Sequence, residues 1–153
     1  MPTNPDPKGC KPDITRRKSV IDTSNNKPLV IISAYQQHRA DNINQDAHAK
    51  LGKIIRDTLG LDCGEVDGCY QGVEEKAWLV EFNTPHDFRC LYDVAMLLNQ
   101  DSILHIAADR TAGLHYYDGT VQAIGNIECV PERVAKGCEA WTRISNGSYY
   151  VAQ

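Results

Sequence analysis

The stretch GCYQGVEEKAWLVEF (residues 68–82) places groups that are costly to bury at the entrance of a strand-like segment. Tyr70, Glu74, Glu75 and Lys76 bring a phenol, two carboxylates and an ammonium group together, and mostly apolar residues follow. Charged groups avoid protein interiors unless they are paired. The segment is therefore either a solvated turn or a surface that faces a charged ligand.

The residue order in the predicted strand, Lys76–Phe82, separates the two glutamates. Side chains alternate between the two faces of a strand. Glu75 would then share a face with Leu79, and Glu74 would share the other face with Trp78. Only one of the two carboxylates can line a given pocket. Spacing alone favours a solvated strand entrance, in which the neighbouring lysine is a weak surface partner worth under about 1 kcal/mol.

Two helices are predicted between the strands. The first runs from about Gln45 to Leu59, with Asn44 as its N-cap and Gly60 as the glycine that ends it. The second begins at TPHD (residues 84–87), which combines a threonine cap, a proline at the first helical position and an acid at the third.

Four further segments have strand or hairpin character. Leu29–Tyr35 is a continuous apolar run typical of a central strand, and Ser102–Ala108 is another strand. Turn sequences at Asp118–Gly119 and Asn146–Gly147 predict two hairpins. The order β-α-β-β-α-β, with hairpins after it, predicts an α+β fold: a ferredoxin-like antiparallel sheet with two helices on one face and extra C-terminal hairpins.

The composition is that of one ordinary globular domain. The chain has 153 residues and a formal net charge of -4, which argues against the basic surface of a nucleic-acid-binding protein. Its longest apolar run is far too short to span a bilayer. Residues 1–27 are polar and rich in proline, with no apolar signal region. We therefore expect a flexible N-terminal arm before a domain at residues 28–153.

The six cysteines indicate free thiols in a reducing cytoplasm, because no secretory signal precedes them. His86 and Cys90 have the spacing of half a metal site, and no C-x-x-C is present, so we expect neither a metal nor a cofactor. A Ser-His-Asp triad and a glycine-rich phosphate loop are also missing from the sequence. His48 lies off the apolar face of the first predicted helix and is expected at the surface.

An ordered set of short motifs resembles a known family. In chain order the motifs are ISAY, DNINQDAHAKL, GCY, EEK, NQDSIL, TAGLHYYDG, VP and GCE. Together they resemble the S-adenosylmethionine (SAM)-degrading enzymes of short-tailed bacteriophages, which were long called SAM hydrolases and are now regarded as SAM lyases. The similarity extends from about Leu29 to Gln153.

The resemblance implies PII-like, ferredoxin-like subunits that form a homotrimer and bind the substrate SAM at the interfaces between them. The key glutamate of the family maps onto Glu75, with Glu74 as the adjacent candidate, and its tyrosine maps onto Tyr70. Three residues at the end of the first strand match the segment that lines the family's SAM pocket: Ser33, Ala34 and Tyr35.

The implied reaction is an intramolecular attack of the SAM carboxylate on its own γ-carbon, which gives homoserine lactone and 5′-methylthioadenosine. We expect Glu75 to position the cationic substrate and Tyr70 to orient the reacting chain. The enzyme would act in the host cytoplasm and counteract restriction by lowering SAM. Alternatives are a SAM hydrolase in which a glutamate activates water, a non-catalytic PII-like trimer that binds SAM or a nucleotide, and an interaction protein that occupies a host enzyme.

Overall fold

The structure, a computed structural model, describes residues 26–144 and 147–152. In it, eight antiparallel strands form a closed barrel. The strands are β1 (Leu29–Ile32), β2 (Cys63–Tyr70), β3 (Val73–Glu81), β4 (Ser102–Ile106), β5 (Thr111–Tyr116), β6 (Val121–Val130), β7 (Ala140–Arg143) and β8 (Tyr149–Ala152). The helices are α1 (Asp41–Lys53), which continues as a π-helical segment at Ile54–Thr58, α2 (Pro85–Leu97) and the short α3 (Glu132–Ala135).

The prediction of a ferredoxin-like sheet with two helices on one face is wrong, because the strands form a closed barrel. The strand order around the barrel is β1-β3-β2-β7-β8-β6-β5-β4. The C-terminal strands are therefore not hairpins added to a finished sheet. They continue the sheet from β4 through β5, β6, β8 and β7 back to β2. Closure gives every strand of the barrel two neighbours, so none of these strands is an open edge strand.

Strand β6 explains why the prediction failed. Its first half pairs with β5, and its second half, Ile127–Val130, pairs with β8. A bulge where β5 shifts register, between Ala112 and Gly113, is the kind of irregularity that bends a sheet. The hairpin at Asp118–Gly119 is confirmed, and Gly119 has a φ of +87°. The sequence did not indicate that the strand after it would continue as far as Val130.

The buried apolar residues form three clusters, and strand alternation along β3 separates the two largest of them. The inner core lies inside the barrel and includes Ala77 and Leu79 of β3. The outer core lies between the barrel wall and the helices, and it includes Trp78 and Val80 of the same strand. The predicted alternation along β3 is thereby confirmed.

The two long helices cover the outside of the barrel, and their starting points differ in how well they were predicted. The start of α2 is confirmed: Thr84 and Asp87 form a reciprocal capping box. Helix α1, however, begins at Asp41 with Ala40 as its N-cap, so the prediction that Asn44 caps it is wrong. None of the helices in the described part of the chain is long and apolar enough to cross a membrane.

The predicted N-terminal arm lies outside the described residues except for its last two positions, and Asn146 of the second predicted turn lies outside them as well.

Close contact between α1 and β3 depends on a glycine. A Cβ atom at Gly52 would lie 2.4 Å from Cζ2 of Trp78. The same indole donates a hydrogen bond from Nε1 to the carbonyl oxygen of His48 at 2.9 Å. The imidazole of His48 stacks on the Trp78 ring, with centroids 4.5 Å apart. His48 is 5% exposed, so its predicted surface position is wrong.

We predict that Gly52→Ala destabilises the protein. Alanine would favour the helix by about 1 kcal/mol, but overpacking against the indole costs about 1–3 kcal/mol. The free energy of unfolding in urea measures the balance. Gly137→Ala is the matched control, because its added Cβ would meet nothing closer than 3.5 Å. A Trp78→Phe background should shrink the penalty, and a Gly52→Ala variant as stable as the native chain would contradict the packing argument.

Candidate active site

The barrel contains a cavity of about 720 Å³. It opens at the end of the barrel where β2 ends and β3, β4 and β7 begin, because residues from these strand ends line it. Its deeper wall is apolar and includes Ile106 and Ile127. Cavities of this size, apolar with a few polar groups near the opening, are typical sites for small molecules.

The structure brings most of the predicted site residues together. Four of them line the cavity: Ser33, Tyr35, Tyr70 and Glu75. The other two do not. Glu74 is exposed on the opposite face of β3, and the Ala34 side chain packs in the outer core.

Glu75 presents an uncompensated carboxylate to the cavity. It lies on β3 opposite Gly68 of β2, and Gly68 in turn lies opposite Thr142 of β7. Because Gly68 has no side chain, space remains beside the carboxylate. Burial raises the pKa of Glu75 above its ordinary value. Within residues 26–144 and 147–152 no cation lies at ion-pair distance from it, so a cationic ligand is its natural partner.

Lys76, the neighbour of Glu75, points to the other face and is neutralised there. Its ammonium group lies 2.8 Å from Asp67, which also receives Arg143 at 2.6 Å. Burial alone would raise the pKa of Asp67, but hydrogen bonds from the two cations lower it overall. Lys76 therefore serves an ion-pair network on the outer wall and does not compensate Glu74 or Glu75.

Tyr70 stands at the rim of the cavity, next to a tight turn. Gln71 and Gly72 connect β2 to β3 with φ angles of 51° and 84°, the pattern of a type I′ hairpin turn. The Tyr70 side chain is 60% exposed. The negative charge of Glu139 and a hydrogen bond to it raise the pKa of the Tyr70 phenol, which therefore stays protonated near neutral pH. The sequence analysis did not identify Glu139, which follows α3 and reaches this rim only in the fold.

The segment between β1 and α1, residues 33–40, forms one side of the opening and is called the pocket loop below. The Ser33 hydroxyl donates to the carbonyl oxygen of Lys76 at 2.9 Å and accepts from the Tyr35 amide at 3.0 Å. Because its hydrogen is already donated, this hydroxyl shapes the loop and is not poised as a nucleophile. Gln36, Gln37 and His38 also line the cavity, and the sequence analysis missed all three.

The described residues contain no group of three or more histidine, cysteine or acidic side chains that could hold a metal ion. His86 Nε2 and Cys90 Sγ lie 3.6 Å apart without a third ligand from this part of the chain. None of the five cysteines that the structure describes is in a disulfide bond, and among them only Cys63 is buried. That the protein works without a metal or cofactor stays a prediction.

Comparison with known proteins assigns the chain to a family. A search among curated proteins found no match. The sequence pattern that describes the S-Adenosylmethionine lyase family matches residues 30–153, which is most of the chain and includes every strand of the barrel except the first residue of β1. An enzyme of this kind cleaves a carbon–sulfur bond of SAM. The chain belongs to the S-adenosylmethionine lyase family.

Proposed function

We propose that the chain cleaves SAM inside the barrel cavity to homoserine lactone and 5′-methylthioadenosine. The substrate carboxylate attacks the γ-carbon of its own methionine chain, the bond from that carbon to sulfur breaks, and the electron pair of that bond stays on sulfur. The sulfonium becomes a neutral thioether. Water is not consumed and no proton moves, so the site needs neither a general base nor an activated nucleophile.

The observation that carries this proposal is the uncompensated carboxylate of Glu75 in a cavity with apolar walls. SAM carries two cations, the α-ammonium and the sulfonium. A carboxylate that is partly removed from water attracts a cation more strongly than one on an exposed surface. The cavity is also large enough for a ligand of this size.

Glu75 is best assigned to the ammonium group of SAM. The ammonium keeps its charge throughout the reaction, so binding the ammonium stabilises the substrate and the transition state equally. The sulfonium loses its charge as the bond breaks. A carboxylate bound to the sulfonium would stabilise the ground state more than the transition state and would slow the reaction.

Positioning supplies the rest of the catalysis in this proposal. Well-oriented intramolecular reactions reach effective molarities of about 10⁵ M or more. The opposite charges of carboxylate and sulfonium merge during ring closure, so apolar walls favour the dispersed transition state. Tyr70 would orient the reacting chain from the rim. Tyr35 would bind through its ring, and Ser33 and Ala34 would contribute backbone groups of the pocket loop.

We further propose that active chains form a homotrimer, which the motif resemblance supports. Glu75 is half-buried and lines the cavity of its own chain, so in this proposal a neighbouring subunit would cover the mouth of the cavity. Exposed apolar side chains lie at this end of the barrel, among them Val73 and Val121, which are 47% and 57% exposed. In a phage-infected host, the reaction would lower cytoplasmic SAM and so counteract restriction.

Glu75→Gln should lower kcat/KM for SAM by about ten- to a hundredfold, the value of a hydrogen bond to a charged group. Glu74→Gln is the matched control, because the same change on the exposed face of β3 should leave activity near the native value. Steady-state kinetics with SAM makes the comparison. The reverse pattern, with Glu74 essential and Glu75 dispensable, would overturn the assignment.

The pH profile gives the same variant a second readout. Protonation removes the charge of Glu75, so kcat/KM falls as the pH is lowered through its pKa. Because burial raises that pKa, the acid limb should lie above the ordinary glutamate value of 4.5. The limb should vanish in Glu75→Gln.

Incubation with SAM in ¹⁸O-water tests the products. Unlabelled homoserine lactone should appear first by mass spectrometry together with methylthioadenosine, and label should enter the carboxylate only as the lactone opens. Homoserine labelled at its hydroxyl from the earliest times would identify direct hydrolysis. In bacteria that express the chain, the same products should accumulate as SAM declines. Protection from restriction with an intact SAM pool would instead indicate direct binding to a host enzyme.

Sedimentation analysis at the concentrations of the kinetic assay tests the trimer. The active species should have three times the mass of the chain. Full specific activity from a monomer would contradict the trimer without affecting the cavity as the site, because residues of a single chain line that cavity.

A further inference from the structure

We propose that Asn44 is a positioning residue for SAM: it holds the pocket loop in the shape that binds the substrate. This inference rests on the proposed function, because it takes the barrel cavity as the SAM site. Asn44 lies in α1, is 4% exposed and does not line the cavity. Its influence on the substrate therefore passes through the loop.

The amide of Asn44 binds both backbone groups of one loop residue. Its Nδ2 donates to the carbonyl oxygen of Gln36 at 2.9 Å. Its Oδ1 accepts from the Gln36 amide and from Arg39 Nε, each at 3.0 Å. The side chain thus pairs with Gln36 as a neighbouring strand would, in a segment beyond the end of β1 that the sheet does not reach.

Two more contacts make this arrangement a clamp on the whole loop. Arg39 also donates from its guanidinium to the carbonyl oxygen of Ala34, which ties the end of the loop to its beginning. From the far side of the opening, Gln100 Nε2 donates to the carbonyl oxygen of Tyr35 at 3.1 Å. Asn44 is the buried member of this set and joins the loop to α1, while Gln36 Nε2 donates to the carbonyl oxygen of Leu98 at the end of α2 at 2.9 Å.

Helix α1 itself has no need of an asparagine here. Ala40 is its N-cap and no side chain caps it. Asparagine is also a poorer helix former than alanine, leucine or glutamine. The buried amide is therefore best explained by the loop, whose Tyr35, Gln36 and His38 face the cavity.

The position of the loop predicts which kinetic constant depends on Asn44. Glu75 lies on β3, and none of these hydrogen bonds of the Asn44 side chain involves a residue of that strand. When the loop is misplaced, SAM therefore loses contacts that bind it equally strongly in the ground state and in the transition state. The reacting end of SAM, which Glu75 holds, stays in place. Loss of such uniform binding raises KM and leaves kcat unchanged.

The test compares Asn44→Asp with Asn42→Asp. The first substitution keeps the size and the acceptor of the side chain but turns an oxygen toward the Gln36 carbonyl in place of the Nδ2 donor. We expect KM for SAM to rise about tenfold, with kcat nearly unchanged, as for the loss of one buried hydrogen bond. Asn42 is exposed in the same helical turn. Its substitution introduces the same charge and should leave KM as it is.

A purely structural role gives a different result. It would lower the melting temperature and the active fraction, so the apparent kcat would fall while KM stayed native, and that outcome would overturn the proposal. If Asn44→Asp does not fold, Asn44→Ala replaces it. Alanine removes both hydrogen bonds to the Gln36 backbone without placing a charge in the interior, so KM should again rise, and an unchanged KM would overturn the positioning role.

Failure of this inference is distinguishable from failure of the proposed function. If the native chain cleaves SAM and both Asn44→Asp and Asn42→Asp have the native KM for SAM, only the role of Asn44 is overturned. A native chain that leaves SAM intact would overturn the proposed function, and the inference with it.

Discussion

The pairing of β6 with two different strands is the constraint on which the rest of the molecule depends. Because its first half pairs with β5 and its second half with β8, the sheet that begins at β4 is carried round to β7 and β2. Closure creates an interior that one face of every strand must share. The inner core occupies part of it, and the cavity occupies the end nearest the β2–β3 turn.

Within that closed wall, alternation along β3 separates charges that are adjacent in the sequence. Glu75 faces inward, where no cation of the described chain compensates it, while Lys76 faces outward into the network of Asp67 and Arg143. An ion pair between Glu75 and its neighbour is prevented by the period of two of the strand. The carboxylate is thus kept available for a ligand by backbone geometry.

Features set by nearby residues could be predicted from the sequence. The capping box of α2 involves residues three positions apart, and strand alternation separates Glu74 from Glu75 onto opposite faces. Alternation did not show which of the two faces the cavity, and Glu75 was chosen from the motif resemblance. Features that depend on distant partners could not. His48 is buried because Trp78, thirty positions away, stacks on it. Asn44 resembles a helix cap locally, yet its amide binds Gln36 in the fold. Barrel closure required β6 and β8 to meet, and nothing local to either strand indicates this pairing.

The two-residue turn at Gln71–Gly72 has a consequence for how the cavity handles molecules of different shape. A type I′ turn has no slack, because both central residues are already in the left-handed region and the strands pair up to the residues beside them. The side of the opening that the β2–β3 turn forms is therefore rigid. The opposite side is the pocket loop, whose shape is held by side-chain hydrogen bonds. A wider opening on the Tyr70 side would therefore require a different turn between β2 and β3, whereas on the loop side it would require only the exchange of side chains that hold the loop, such as Asn44 and Arg39.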